Sequence, residues 1–278
     1  MTRQRCQPTR AALENFETYE VPLISAPQCR ALLAHLPIAS GHRLLDVACG
    51  TGIVAREAAY MVGTKGTITG LDLNEEMLHV ARRHAPTRSA QLEWRHGDAQ
   101  HLPFPDNHFD IVVCQQGLQF FEEKLSALSE MRRVLEPGGW VGLCVWRGIE
   151  ESPLHHAAAK AFARHVDKQA AALLHTPFSF DDADALNSLM SSAGFAGIEI
   201  WAAIETILIP EPETAVPALL ASSPAAPMFA GLNGKTRTAI IAEVLAALEP
   251  YRTGDAVAVP QGAYIALAQK PHDLSANS

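Results

Sequence analysis

Between residues 42 and 147, short apolar runs alternate with stretches whose apolar residues recur every three to four positions, the signature of βαβ units on a parallel sheet. The apolar runs predict strands at 43–48, 67–72, 91–96, 109–114 and 139–146. Between the second and third, NEEMLHVARRHA (74–85) predicts a helix. Asn74 can cap it, Glu75 and Glu76 fall in its first turn, and Arg82 to His84 in its last, the arrangement the helix dipole favours. EEKLSALSEMRRVL (122–135) carries Leu125, Leu128, Met131 or Arg132, and Leu135 at helical spacing. Pro137-Gly138-Gly139 then ends that helix and turns the chain into the fifth strand.

Beyond Trp146 the pattern changes to an Ala-rich helix (153–174), a helix over 181–194 and a strand near 198–209. A Pro-rich break at 210–227, a helix at 235–249, a last strand around 262–270 and a frayed tail, PHDLSANS, complete the chain. The pattern therefore predicts an α/β fold, with an alternating core and two helical additions at about 148–180 and 210–255. No internal repeat is visible.

The 278 residues correspond to one large domain or one with a substantial insertion, and 48% hydrophobic with 19% charged residues is an ordinary globular balance. The N-terminal MTRQRCQPTR is not followed by an apolar secretory core, and no apolar run is long enough for a membrane span, so a cytoplasmic protein is expected. A net charge of −8, with no cluster of five basic residues, argues against nucleic acid as a partner. Cys6, Cys29, Cys49, Cys114 and Cys144 contain no C-x-x-C pair and read as small buried hydrophobes. The twelve histidines are scattered, so no metal site is expected; His155 and His156 are adjacent, which on a helix points their rings in different directions.

The stretch LLDVACGTGIVA (44–55) ends an apolar strand in a Gly-rich turn and reopens as a helix, whose free N–H groups can face a ligand. Gly50-x-Gly52-x-x-Ala55 fits the dinucleotide fingerprint, which keeps an NAD(P)-dependent oxidoreductase in view. Asp46 lies inside the strand, where an acid suits a ligand with positive charge nearby. Asp72 closes the second strand, placed to accept from two ribose hydroxyls, and Gly97-Asp98-Ala99 ends the third, where an adenine amine could be read. Together these outline a nucleoside pocket with a cationic neighbour.

In order and spacing, LLDVACGTG, GLDLNEEML, GDAQHLPFPDNHFDIVVCQQGLQFF and LSEMRRVLEPGGWV resemble the successive motifs of class I S-adenosylmethionine-dependent methyltransferases. The subgroup resembled is type 11, with the ubiquinone/menaquinone C-methyltransferases. FETYEVPLISAPQCRALLAHLPI (16–38) is similar to their N-terminal cap helices, and FSFDDADALNSLMSSAGFAGIEI to their late helix and strand. The resemblance implies a Rossmann-like seven-stranded methyltransferase sheet with helices on both faces, plus N-terminal cap helices and helical lid insertions. The implied domains are cap helices at 1–40, a cofactor-binding core at 41–147, and 148–278 completing the sheet with acceptor-pocket insertions.

It also implies S-adenosylmethionine as cofactor and S-adenosylhomocysteine as product. Asp46 would sit beside the methionine ammonium, while the backbone of Ala48, Cys49 and Gly50 would shape the methionine and ribose site. Gly52 would leave room for the ligand, and Asp72 would take the ribose hydroxyls. Leu73 and Met77 would sandwich adenine, Gly97, Asp98 and Ala99 would read its edge, and Gln115 would lie near the methionine. Tyr19 joins this set from the N-terminal cap. One departure is Ala48-Cys49, where many members have Gly-x.

Methyl transfer from a sulfonium is an in-line displacement that alignment alone can accelerate, so no catalytic triad is required and none is found. If the acceptor needs a general base, His155, His156 and His175 are the candidates. Phe16, Tyr19, Gln119 and Phe120 are candidate pocket lining. The apolar bias of PAAPMFAGL (224–232) and LLHTPFSF (173–180) points to a small, partly hydrophobic acceptor such as a quinone, a phenolic or a secondary metabolite. A homodimer is a candidate assembly. The competing readings are a non-catalytic S-adenosylmethionine-binding module, which would lack an acceptor pocket, and the oxidoreductase, disfavoured because no Tyr has a Lys four residues on. CQQGLQ after the fourth strand lacks the Asn/Asp-Pro-Pro-Tyr/Phe type of motif of base-N-methylating enzymes.

Overall fold

The fold is described from a computed structural model, for residues 10–86 and 90–272; Cys6 and most of the predicted tail lie outside the described residues. The strands are β1 (Arg43–Val47), β2 (Thr67–Asp72), β3 (Gln91–His96), β4 (Phe109–Gln115), β5 (Leu135–Trp146), β6 (Ala196–Pro210), β7 (Arg252–Thr253) and β8 (Ala256–Gln269). The helices are α1 (Arg10–Asn15), a π-helix (Phe16–Ser25), α2 (Ala26–Leu33), α3 (Ile53–Val62), α4 (Glu75–Arg83), α5 (Lys124–Val134), α6 (Pro153–His165), α7 (Lys168–His175), α8 (Ala183–Ser192), α9 (Pro212–Ser222), α10 (Ala226–Gly231) and α11 (Gly234–Leu248).

β1 and β4 are nearly continuous apolar runs because each is flanked by strands on both sides and covered on both faces; Leu44, Leu45, Val47 and Ile111 to Cys114 are all buried. The sheet order is β3-β2-β1-β4-β5-β8-β6, with β1 to β5 parallel and β8 antiparallel to β5. The register sets Leu45 beside Thr69 and Val112, and Leu143 beside Ala266. The order reverses between β1 and β4, so a crevice at the carboxyl ends of these strands is the expected ligand site of a doubly wound sheet. On one face, Leu128 and Met131 of α5 and Leu186 and Met190 of α8 form one buried cluster with Val47, Val112 and Leu143.

The chain divides into two compact units. One comprises 28–147, 180–203 and 263–278 and contains the parallel strands; the other comprises 1–27, 148–179 and 204–262 and is mainly helical. In the strand unit, Lys270 is buried with its ammonium donating to the carbonyls of Leu135 (2.8 Å) and Arg133 (3.3 Å) and to Asn107 Oδ1 (2.6 Å). In the helical unit, α6 and α11 are tied by His165 and Arg164, both on Glu243 at 2.9 and 3.2 Å. Among the described residues no helix is long and apolar enough to cross a membrane.

Several elements differ from the expectation. The Ala-rich helix breaks at Val166-Asp167, where the Asp167 carboxylate accepts from the Ala170 N–H (2.7 Å) and starts α7. The Pro-rich break at 210–227 is helical: Pro212 opens α9 and Pro227 lies in the first turn of α10, where the missing N–H costs nothing. The fifth strand begins at Leu135, ahead of the Pro-Gly-Gly turn, and an irregularity between Phe109 and Ile111 accommodates the extra residues. Gly254-Asp255 turns a hairpin that adds the two-residue β7, so eight strands stand where seven were expected. The N-terminal cap is largely a π-helix.

Trp94 of β3 fixes how close α3 comes to the sheet. A Cβ built on Gly70 would lie 2.5 Å from its indole, and one on Gly52 2.3 Å. Gly70→Ala should therefore destabilise the fold by about 1–3 kcal/mol in urea unfolding. Trp94→Leu in the same chain should recover most of that loss; equal stability of Gly70→Ala and wild type would refute this packing.

Candidate active site

The site is built where β1 gives way to α3. Asp46, the fourth residue of β1, is buried, and its Oδ2 accepts from the N–H of Ala55 in the first turn of α3 (3.1 Å). This carboxylate thus takes a donor that a dinucleotide's pyrophosphate would need. Burial pushes its pKa up to about 8, and the Asp72 charge adds to the effect, while the Ala55 hydrogen bond opposes it.

The loop between strand and helix turns through left-handed backbone at Ala48 (φ 57°), Gly50 (φ 55°) and Gly52 (φ 88°). At Ala48 a non-glycine residue holds this conformation at a cost of roughly 1–2 kcal/mol, which is why glycine suits the position. A Cβ on Gly50 would meet nothing within 4 Å, so open space lies over that residue. Gly52, expected to leave room for the ligand, would place a built Cβ 2.3 Å from the Trp94 indole and 3.3 Å from the Ala81 methyl. Its missing side chain serves helix–sheet packing.

Asp72, at the end of β2, binds the loop from the other side. Its Oδ2 accepts from the Gly50 N–H (2.8 Å) and its Oδ1 from the Asn74 N–H (2.8 Å). Burial raises its pKa even against these hydrogen bonds. Two carboxylates therefore bracket the Gly-rich turn, and the site is hostile to anions and receptive to cations. The next strand end is tied in through the Gly97 N–H, which donates to the Asp72 carbonyl (3.1 Å). Asp98 forms an Asx turn onto the Gln100 N–H (2.9 Å), and the Gln100 amide also donates to it (3.2 Å).

Leu73 is exposed and its carbonyl accepts from His96 Nε2 (3.0 Å). Met77 is half-buried on α4, while Ala99 and Gln115 are buried. Asp46, Ala48, Gly50, Asp72, Leu73, Met77, Gly97, Asp98, Ala99 and Gln115 thus all belong to the carboxyl-end loops and adjacent residues of β1 to β4 in one unit. Tyr19 lies in the other unit, on the π-helix, half-buried.

Two features escaped sequence reasoning. Gln116 adopts φ 55°, its N–H donates to the Cys144 carbonyl (2.8 Å), and its Oε1 receives the Gln119 amide (3.1 Å). Gln100 orients Asp98. The Asp-x-Gln spacing was the available signal for the second; nothing local announces a left-handed glutamine. Cys29, Cys49, Cys114 and Cys144 are buried as expected, and burial pushes the Cys144 thiol up to about 12.

The three candidate bases lie in the helical unit. His156 and His175 are close enough for His175 to contribute to lowering the His156 pKa, though desolvation is the main cause. His155 lies beside Phe178, with ring centroids 5.1 Å apart, and is desolvated, which pushes its pKa down to about 4. It is neutral at pH 7.

A sequence profile described as a methyltransferase domain matches residues 45–143. A demethylmenaquinone methyltransferase of Staphylococcus epidermidis is 35% identical over 179 residues, covering 60% of this chain and 73% of the relative. The ubiquinone/menaquinone biosynthesis C-methyltransferase UbiE of Cupriavidus pinatubonensis is 39% identical over 124 residues, covering 43% of this chain and 51% of the relative. Among solved structures, Haemonchus contortus phosphoethanolamine N-methyltransferase 2, in complex with phosphomonomethylethanolamine and S-adenosylhomocysteine, has a TM-score of 0.60 at 22% identity, over 96% of this chain and 59% of that one. The YcgJ protein of Bacillus subtilis has a TM-score of 0.55 at 17% identity, over 88% of this chain and 98% of that one. At those identities the two structures speak for the fold.

The depressed His155 pKa makes stability depend on pH with a definite sign. The unfolded chain binds a proton there below about 6.5, whereas the folded chain resists until about 4. The contribution is therefore fully present above pH 6.5 and lost as pH falls toward 4, about 3 kcal/mol in all. Urea unfolding at pH 7 and pH 4.5 should show a smaller loss of stability for His155→Phe than for wild type; parallel losses would contradict the burial of a neutral imidazole.

Proposed function

Because the chain belongs to the class I S-adenosylmethionine-dependent methyltransferases, in the ubiquinone/menaquinone C-methyltransferase group, we propose that it methylates a quinone-type ring and holds its cofactor in the loops after β1, β2 and β3. The observation that carries the cofactor assignment is the pair of carboxyl groups around the Gly-rich turn, Asp46 buried and Asp72 half-buried. When bound, S-adenosylmethionine supplies a methyl group on a positively charged sulfur, which in-line displacement moves to the acceptor.

Each residue's part follows from its place. Asp46 counters the ligand's ammonium, and the open space over Gly50 admits the methionine and ribose against the backbone of Ala48 and Cys49. Asp72, prepositioned by Gly50 and Asn74, accepts from the ribose hydroxyls. Leu73 and Met77 offer apolar surface to the adenine, and Asp98, held by Gln100, accepts from its amine while Ala99 presents its backbone. Gln115 ends β4 near the methionine end. Alignment and exclusion of water are the main sources of acceleration.

The acceptor is placed by analogy with the relatives' names, a demethylmenaquinone and a ubiquinone or menaquinone precursor. The apolar bias of the 173–180 and 224–232 segments supports a partly hydrophobic acceptor. A net charge of −8 supports a small-molecule acceptor over nucleic acid, and we place the protein in the cytoplasm.

Calorimetric titration with S-adenosylhomocysteine should give micromolar binding, and NADH and NADPH none. Asp72→Asn should weaken S-adenosylhomocysteine by about 1–3 kcal/mol; unchanged affinity would remove Asp72 from the cofactor site. Asp46 is largely protonated at pH 7 in the free protein, given its pKa of about 8. A bound ammonium lowers that pKa, so binding should release up to about one proton. Titrations in two buffers of different ionisation enthalpy measure it, and an absence of proton release that Asp46→Asn leaves unaltered would refute the role given to Asp46.

A further inference from the structure

Gly142 of β5 has no side chain, and α2 with the turn after it comes down on that gap: a Cβ built there would lie 2.9 Å from Leu36 and 3.2 Å from Leu32. The pairing of β5 with β8 sets Leu267 beside Gly142, and β8 in turn neighbours β6 at the edge of the sheet. Beside this contact lies a hollow of about 390 Å³ lined by His35, Trp140, Glu199, Trp201 and Leu267. All five residues belong to the strand unit. Trp140 pairs with Ile111 near the start of β4, so the hollow lies toward the amino-terminal ends of the parallel strands, away from the Gly-rich turn at their carboxyl ends.

Three of the five lining side chains are aromatic. Trp140 and Trp201 are half-buried, and the His35 ring packs against Trp201 with centroids 4.7 Å apart and planes tilted by 54°. His35 Nδ1 lies 2.8 Å from the Ala31 carbonyl, which can only accept, so this nitrogen carries a proton and anchors the ring. The wall is therefore in place before any ligand arrives. Glu199 is exposed and has no hydrogen-bond or ion-pair partner among the described residues, and no Lys or Arg lines the hollow. Trp140 also borders a second hollow of about 360 Å³, whose lining includes Asp110 and Glu136. Both of those carboxylates are held by Arg43, at 2.8 and 3.0 Å. Glu199 is thus the uncompensated carboxylate beside the indoles, and two acids against one arginine on the other side of Trp140 leave the surroundings negative in sum.

An indole attracts a cation through its ring quadrupole, more strongly than the other aromatic side chains do, and a cation whose charge is spread over methyl groups gives up little hydration on meeting it. An anion would be repelled by Glu199, and a neutral apolar molecule would draw nothing from it. We propose that this hollow binds a small organic cation, a tertiary or quaternary aliphatic ammonium, with Trp140 and Trp201 against its methyl groups and Glu199 countering its charge. The volume is that of a small-molecule site. None of the lining residues is among those given to the cofactor, so this is a second binding site and takes no part in the transfer step.

The test titrates the full chain with choline and with its uncharged isostere 3,3-dimethyl-1-butanol. Choline should bind saturably in the millimolar range, about tenfold or more tighter than the isostere. Trp201→Leu should weaken choline by about tenfold, with Trp201→Phe in between. Glu199→Gln should weaken it by about threefold at low salt and less at high salt. Equal binding of the two probes, or none of choline, overturns the proposal, as does wild-type affinity in a folded Trp201→Leu protein. Should that variant not fold, nitrogen-15 NMR of the wild type decides: the indole N–H resonances of Trp140 and Trp201 should move with choline while those of Trp94 and Trp146 stay. Movement at Trp94 or Trp146 instead overturns it. Excess S-adenosylhomocysteine should leave choline binding unchanged; displacement would assign the cation to the Gly-rich turn and overturn the second site.

Discussion

The carboxylate of Asp46, buried in β1 and hydrogen-bonded to the first turn of α3, is the constraint on which the site depends. A strand-to-helix turn with glycines naturally makes an anion site, because helix N–H groups point outward and the dipole is positive there. Here a carboxylate of the chain itself is set among those groups. With Asp72 on the far side of the turn, holding Gly50 and Asn74, the sign of the site is reversed.

The turn itself is held from beneath. Gly52 and Gly70 lack side chains because the Trp94 indole occupies the space between helix and sheet. Gly50 lacks one over open space. Two glycines two positions apart in one motif thus meet different surroundings, the first open space and the second a packed indole. The strain stored at Ala48 belongs to the same loop and keeps its backbone in a conformation that few residues adopt.

The helical unit follows a different logic. Its elements are joined by side-chain relays, such as His165 with Glu243 and Ser152 with Gln261 and His155, and by aromatic pairs such as Phe162 and Phe229. Among the described residues of this unit, the buried His155 Nδ1 and Arg237 Nε have no hydrogen-bond partner. Burial keeps the His155 ring neutral at pH 7.

Much of the strand unit was legible in the sequence. β1 to β4 fell within a residue of their expected ends, because buried parallel strands must be apolar and their glycines, caps and charges are local signals. The strand-end acids could be picked out for the same reason. The hairpin at Gly254-Asp255, the helices over the Pro-rich segment and the π-helix were not legible, because each depends on packing with residues distant in sequence. What the sequence determined by itself is the order of elements and the chemical types at the strand ends. What only the tertiary structure decided is which volume each small residue yields to and which ring nitrogen is bare, since both depend on what distant segments bring alongside.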